Sequence, residues 1–278
     1  MQLFIVIFSS ISILLSQDLF FSEYIEGSGN GNKAIEIYNG TGSAKDLSDY
    51  TILQSHDGTG WGMDGDGGSG NDGMHYVLNL SGTLQNGAVF IIANAEAAGE
   101  ITGLCDSNSI GCILLNYGDG DGSKVASFNG NDAIGLFKGC NDANCTNGDL
   151  IDVIGSVDCE GTGTCFNEPC PWDVAGSKST KDYTLVRKST ITTGNYIEWT
   201  PTASSTSSAG TNIGNSEWDV YEQDTFDYIG YHGDGGLPEI EGCMDPTALP
   251  TSYNSSATIG CGDCCVCPEE VSIYDIQY

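Results

Sequence analysis

Carboxylates are the only abundant groups in this chain that could do chemistry. Asp64 and Asp66 stand two apart in MDGDGG, and Asp119 and Asp121 repeat the spacing in GDGDGS. A hard cation such as Ca²⁺ takes about six to eight oxygens, and paired carboxylates on a glycine-flexible backbone can wrap one. Neither loop is an EF-hand, because the glycine and the closing glutamate of that loop are missing. These four aspartates are therefore candidate Ca²⁺ ligands, set against a plainer reading of both loops as solvated acidic turns. The three histidines, His56, His75 and His232, fall in no HExxH or comparable motif, and GxSxG is absent. No catalytic constellation can be read in the sequence.

The cations are concentrated. Lys178, Lys181, Arg187 and Lys188 make up half of the chain's eight Lys and Arg within eleven residues. They form a candidate binding cluster for phosphate or polysaccharide. The competing reading is solubilising edge-strand charges paired with Asp173 and Asp182. Of the tryptophans, Trp172 and Trp218 read as core packing. Trp61 and Trp199 flank loops and stay open as a sugar platform.

Twelve cysteines, an even number, suit disulfides in an oxidising compartment. Cys105 with Cys112 and Cys140 with Cys145 are expected as local pairs, and Cys159 with either Cys165 or Cys170. Cys243, Cys261, Cys264, Cys265 and Cys267 form a C-terminal disulfide group. The CxxC at 261–264 leaves zinc as an alternative, although no second CxxC or His pair stands at finger spacing.

The elements that must position these groups are strands. Phe21, Tyr24 and Ile25 alternate imperfectly with Ser22, Glu23 and Glu26, and Ile35 and Ile37 with Glu36 and Tyr38, on either side of GSGNGN, as two half-buried strands joined by a turn would. Further strands are expected at 46–55, 74–80, 89–93, 133–137, 150–154 and 183–189, and from Trp218, with a closing strand through Phe226, Tyr228 and Tyr231. AEAAGEITGLCD (95–106) is the one good helix candidate. TPTASSTSSAGTNIGN (200–215) reads as a mobile low-complexity loop. Glycine, 39 of 278 residues, is about twice its usual ~7% share, as frequent turns require.

The formal net charge is −30, from 38 acidic and 8 basic residues. An excess of that size keeps a protein soluble and opposes compaction. It also argues against a direct grip on nucleic acid, which relies on Lys and Arg releasing phosphate counterions. The apolar run LFIVIFSSISILL at 3–15 is short of the ~20 residues of a membrane span and reads as a signal-peptide core. Cleavage is expected near Ser16 or Gln17, leaving no transmembrane span.

FSEYIEG, a Gly/Asn-rich loop, KAIEIYNG and DLSDYTI together resemble the opening of a lamin tail domain of the secreted bacterial type. TLQNGAVFIIANAEA, FNGNDAIGLFKG, LIDVIG, WDVAG and YTLVRKS continue the resemblance in order over roughly 18–232. The resemblance implies an all-β, immunoglobulin-like β-sandwich with long loops and no catalytic residues of its own. It also implies a setting at the amino terminus of extracellular nucleases, as in Bacteroidetes. EGCMDPTALPTSYNSSATIGCGDCC (241–265) resembles a short cysteine motif of secreted proteins from marine members of that group. Its expected Asp-Gly-Ser-Cys ending is replaced by Cys261-Gly262-Asp263-Cys264.

The expected organisation is a signal peptide (1–16), the sandwich (17–236), a cysteine-rich segment (237–270) and the first strand of a further domain (271–278). The expected function is a secreted or cell-surface, non-catalytic binding or scaffold module of an extracellular nuclease-type protein. The alternative is an adhesion or structural protein with Ca²⁺-stabilised acidic loops. Its ligand would be a protein, a polysaccharide or, through other domains, extracellular DNA.

Overall fold

A computed structural model describes residues 17–58, 60–61, 75–106, 110–141, 144–157, 171–199 and 206–233, and the backbone of two short strands at 241–242 and 259–260. The amino-terminal hairpin is β1 (Phe20–Glu26) and β2 (Lys33–Tyr38), followed by β3 (Lys45–Asp46) and β4 (Tyr50–Ser55). Next come β5 (His75–Asn79), β6 (Thr83–Leu84), β7 (Val89–Asn94), helix α1 (Gly99–Asp106) and β8 (Gly111–Leu115). β9 (Ala133–Lys138), β10 (Leu150–Ile154), β11 (Asp173–Val174), β12 (Lys178–Ser179), β13 (Tyr183–Arg187) and β14 (Trp218–Glu222) complete the body. β15 (Glu241–Gly242) and β16 (Ile259–Gly260) pair with each other in parallel.

Two sheets form an immunoglobulin-like sandwich. One has six strands in the order β14-β13-β1-β2-β7-β8, the other four in the order β10-β9-β4-β5. All neighbours are antiparallel except β7 and β8. A parallel pair needs a crossover, and α1 supplies it. The Cys105–Cys112 disulfide ties the end of that helix to β8, and Cys140–Cys145 clips the β9–β10 connection. Between the sheets lie Phe21, Tyr24, Ile35 and Leu185 from one side and Ile52, Leu136 and Val153 from the other, all buried. Phe21 and Tyr24, three apart on β1, both reach this core because the register shifts between Phe21 and Glu23.

The hairpin is not half-buried as its alternation suggests. Every residue of β1 is buried, and so are Ala34 and Glu36 on the outer face of β2. The covering comes from α1 and from the segment after β14. Ile101 and Ile229 pack with Ile25, Ala34, Ile91 and Ala93 into a second, smaller core. That segment, Gln223–Gly233, is a succession of turns, not the expected closing strand. Its Gly230 N–H donates to Glu36 Oε2 (2.6 Å), so it crosses the sheet face instead of joining an edge.

The serine-rich stretch differs from expectation as well. Ser207, Ser208 and Ala209 are buried, and Ser208 Oγ accepts from the indole N–H of both Trp199 (2.9 Å) and Trp218 (3.1 Å). Tethering two core indoles holds this part of the loop in place; residues 200–205 lie outside the described set. Trp61, Trp172, Trp199 and Trp218 are all buried. None is available as a sugar platform.

Candidate binding cleft

Four loops meet at one end of the six-stranded sheet. They are the β1–β2 turn, the exit of β7, the loop after β8 and the approach to β9. Between them lies a cleft of about 650 Å³, within the ~300–1,000 Å³ usual for small-ligand sites.

Its walls are fixed by local hydrogen bonds. Gly27 N–H donates to Asn32 O (2.8 Å), closing the hairpin turn. Asn32 then bridges outward, donating to Asp224 Oδ1 (3.2 Å) and accepting from Ala98 N–H (2.9 Å) ahead of α1. Gly31 allows the turn to lie against Glu96, since a Cβ there would come within 2.6 Å of the Glu96 carbonyl. Asn94 is committed on both ends, to Ala126 O (3.2 Å) and from Glu96 N–H (2.9 Å). Asn116 Nδ2 donates to Asp119 Oδ2 (3.0 Å), shaping the loop that carries Tyr117.

Deeper in, Phe128 is buried and stacks on Tyr24 (centroids 4.7 Å apart). Beside it Lys33 Nζ pairs with Glu26 Oε1 (2.5 Å) and donates to Gly27 O (2.7 Å). Asp182 N–H donates to the other Glu26 oxygen. Both side chains of the pair are about 5% exposed, so this cation is neutralised in place.

Other lining groups are uncommitted. The Ser127 hydroxyl is buried without a hydrogen-bond partner. Asn30, Asn129 and Glu96 line the cleft with exposed side chains that bond to no other described group. Tyr117 is 62% exposed at the mouth, with Lys124 Nζ 5.9 Å from its ring centroid. The cleft thus offers amides, a hydroxyl, one free carboxylate and an aromatic face.

The residues singled out by sequence fall differently. Asp119 is exposed directly after the Asn116, Tyr117 and Gly118 that line the cleft. Asp121 opens a 3₁₀ turn, its side chain outside the described set, as are Asp64 and Asp66. Among the described residues, the one group of three potential ligand atoms within 4.8 Å of one another is elsewhere, at His56, Asp57 and Asp132. Both Asp132 oxygens there already accept backbone N–H groups, from Asp57 (2.8 Å) and Asn129 (3.0 Å). That geometry is what holds the loop ahead of β9.

The basic cluster is dispersed. Arg187 is a correction to its reading as a binding residue: it is buried, pairing with Asp152 (3.2 Å) and Glu217 (2.6 Å), with Trp218 stacked on its guanidinium. Lys188 Nζ donates to the carbonyls of Ile213 (2.7 Å) and Ser216 (2.6 Å), and Lys178 lies 3.4 Å from Glu222. Lys181 forms no ion pair among the described residues and stands alone. The expected partners Asp173 and Asp182 are not used. His232 is half-buried between Phe20 and Tyr38, and burial pushes its pKa down to about 4. Cys159, Cys165, Cys170, Cys243, Cys261, Cys264, Cys265 and Cys267 lie outside the described residues.

Sequence reasoning missed Tyr117, Asn30, Ser127 and Asn129, because three separate loops contribute them. The one signal was an aromatic beside a Gly-Asp turn in NYGDGDG.

No curated protein matches the chain. Among solved structures it resembles a DUF4876 family protein from Bacteroides thetaiotaomicron, at 15% identity over 62% of each chain and a TM-score of 0.38. That likeness is too loose to carry an argument. The model of the Lamin Tail Domain family matches residues 15–158, from the lead-in to β1 through the end of β10. Beyond that span, β13 inserts between β14 and β1 to complete the larger sheet. With the hairpin, the crossover and the paired sheets all in place within the matched span, the chain belongs to the lamin tail domain family.

Proposed function

We propose that this chain is a non-catalytic, extracellular binding module whose ligand occupies the cleft between the β1–β2 turn and the loops after β7 and β8. The observation carrying this reading is a lined cleft in which the structural amides are committed while Asn30, Ser127, Asn129 and Glu96 are not. Formed disulfides support an oxidising location, and no helix among the described residues is long and apolar enough to cross a membrane. A net charge of −30 and the locked Lys33 argue against a polyanionic ligand. The part played by residues 223–233 in covering the sheet supports a folded module running through 17–236.

Presenting the full chain with immobilised protein, neutral polysaccharide and DNA tests this. We expect retention on a polymer other than DNA, with hydrogen-exchange protection confined to 27–33, 94–96, 116–118 and 127–129. Retention on DNA, or protection elsewhere, would reject it.

The resemblance extends the reading to an amino-terminal module of an extracellular nuclease-type protein. Nuclease activity in the complete gene product but not in these 278 residues would support that setting. Its absence from both would favour the adhesion or structural role. In that role Asp64, Asp66, Asp119 and Asp121 would bind Ca²⁺, and millimolar Ca²⁺ but not Mg²⁺ would raise the unfolding midpoint by mass action.

A further inference from the structure

The uncommitted groups of the cleft narrow the ligand further, provided that the cleft is the binding site. Asn30 and Asn129 each offer an amide with both donors and an acceptor. Glu96 accepts. Beside them Tyr117 presents an exposed ring. Such a set matches a molecule that carries many neutral hydroxyls on one side and a C–H face on the other.

Competing classes fit less well. A phosphate or sulfate ester would find Lys33 5% exposed and held by Glu26 and the Gly27 carbonyl, with Lys124 only at the mouth, 5.9 Å from the Tyr117 ring centroid. A uronic acid would face the Glu96 carboxylate. A cationic ligand would meet Lys124 beside Tyr117, with Glu96 the one unpaired carboxylate to attract it. A divalent cation lacks a cluster of ligand atoms here among the described residues. An extended peptide adds to a sheet edge through its backbone, whereas this cleft is walled by turns.

We infer that the cleft binds a neutral saccharide, its C–H face on Tyr117 and its hydroxyls on the exposed side chains of Asn30, Asn129 and Glu96. No covalent step is involved.

The test is a panel of neutral oligosaccharides of β-glucan, mannan, xylan and chitin type, with sulfated and uronate-bearing oligosaccharides and a cationic peptide as controls. Binding to the full chain is followed by calorimetry. At least one neutral oligosaccharide is expected to bind. Tyr117→Ala should weaken it about tenfold or more, and Asn129→Ala several-fold, with unchanged thermal unfolding, since both side chains are exposed. Binding of no neutral member overturns the saccharide assignment. If a control binds instead and Tyr117→Ala weakens it, the assignment fails while the cleft stands as the binding site. If a neutral oligosaccharide binds and neither variant changes its affinity, the cleft reading fails as well.

Discussion

Asp152 and the Glu23–Glu36 pair are both buried carboxylate sites in one chain, and they are stabilised in opposite ways. Asp152 sits on β10 and meets Arg187 of β13 at 3.2 Å, the backbone N–H of Phe21 of β1 at 2.8 Å and that of Asn195 at 2.8 Å. Burial pushes its pKa up, and the guanidinium and the two N–H groups oppose that rise. Glu23 and Glu36 stand directly opposite each other across β1 and β2, with no cation against them. Glu36 accepts from Ser22 Oγ and from Gly230 N–H (both 2.6 Å), whereas neither Glu23 oxygen has a hydrogen-bond donor. Burial raises Glu36 to about 8, against those two hydrogen bonds, and burial with the Glu36 and Asp227 charges raises Glu23 well above its ordinary value.

The difference follows from scarcity. With 8 cations for 38 acids, a buried carboxylate either receives a cation, as Asp152 and Glu26 do, or is pushed toward its protonated form. At Asp152 the first choice staples the two sheets together. The second leaves a pair of acids that cannot both ionise where they stand, under a segment that Gly230 anchors to Glu36.

Breaking the staple should have the largest effect. Arg187→Met leaves Asp152 buried without its counter-charge, a loss of about 3–5 kcal/mol, read as a drop of roughly 10 °C in unfolding midpoint. An unchanged midpoint would mean that the backbone N–H groups alone satisfy Asp152.

The acid pair should show itself through pH. Its folded-state pKa values lie above the unfolded ones, so the native state holds extra protons between about pH 4.5 and 8. Its stabilising contribution is therefore complete below about 4.5 and is lost as pH rises through about 8. Asp18 acts in the other direction. Burial pushes it up, but its bonds with Lys138 (2.5 Å) and Tyr50 (2.5 Å) prevail and hold it below the usual range. Its contribution is lost in stronger acid. The unfolding midpoint is expected to rise from pH 8 to pH 5, and the Glu23→Gln/Glu36→Gln variant should flatten that slope. A slope untouched by the double variant would assign it to relief of the overall negative charge.

Ser208→Ala comes next. It strands the indole N–H groups of Trp199 and Trp218 in the core, at a cost of about 2–3 kcal/mol, measurable by denaturant titration. A cost near zero would return this stretch to the mobile loop that its composition suggests. Replacing Cys140 and Cys145 by serine opens a short loop and should cost roughly 2 kcal/mol. Tyr117→Ala, at an exposed site, is expected to leave the midpoint unchanged.

Much of the frame was legible from the residues. Alternation placed β1 and β2, apolar strand-sized runs placed β7, β9, β10 and β13, and GSGNGN placed the first turn. Cysteines five and seven apart bridged because their neighbours in sequence are also their neighbours in space. Each of these inferences concerns groups that a strand or turn brings together by itself.

The remaining features depend on partners far along the chain. Arg187 read as a surface cation because nothing near it in sequence shows that Asp152, 35 residues away, waits in the opposite sheet. Period-2 alternation told which residues share a face of the hairpin, but not that residues 194 positions later would cover the second face and bury Glu36. Nor could it show that three loops would bring Asn30, Ser127, Asn129 and Tyr117 to one cleft. Local pattern fixes the direction in which a side chain leaves the backbone. What it meets there, whether water, a counter-charge, a proton shared with another acid or a ligand, is decided only when distant segments close over it.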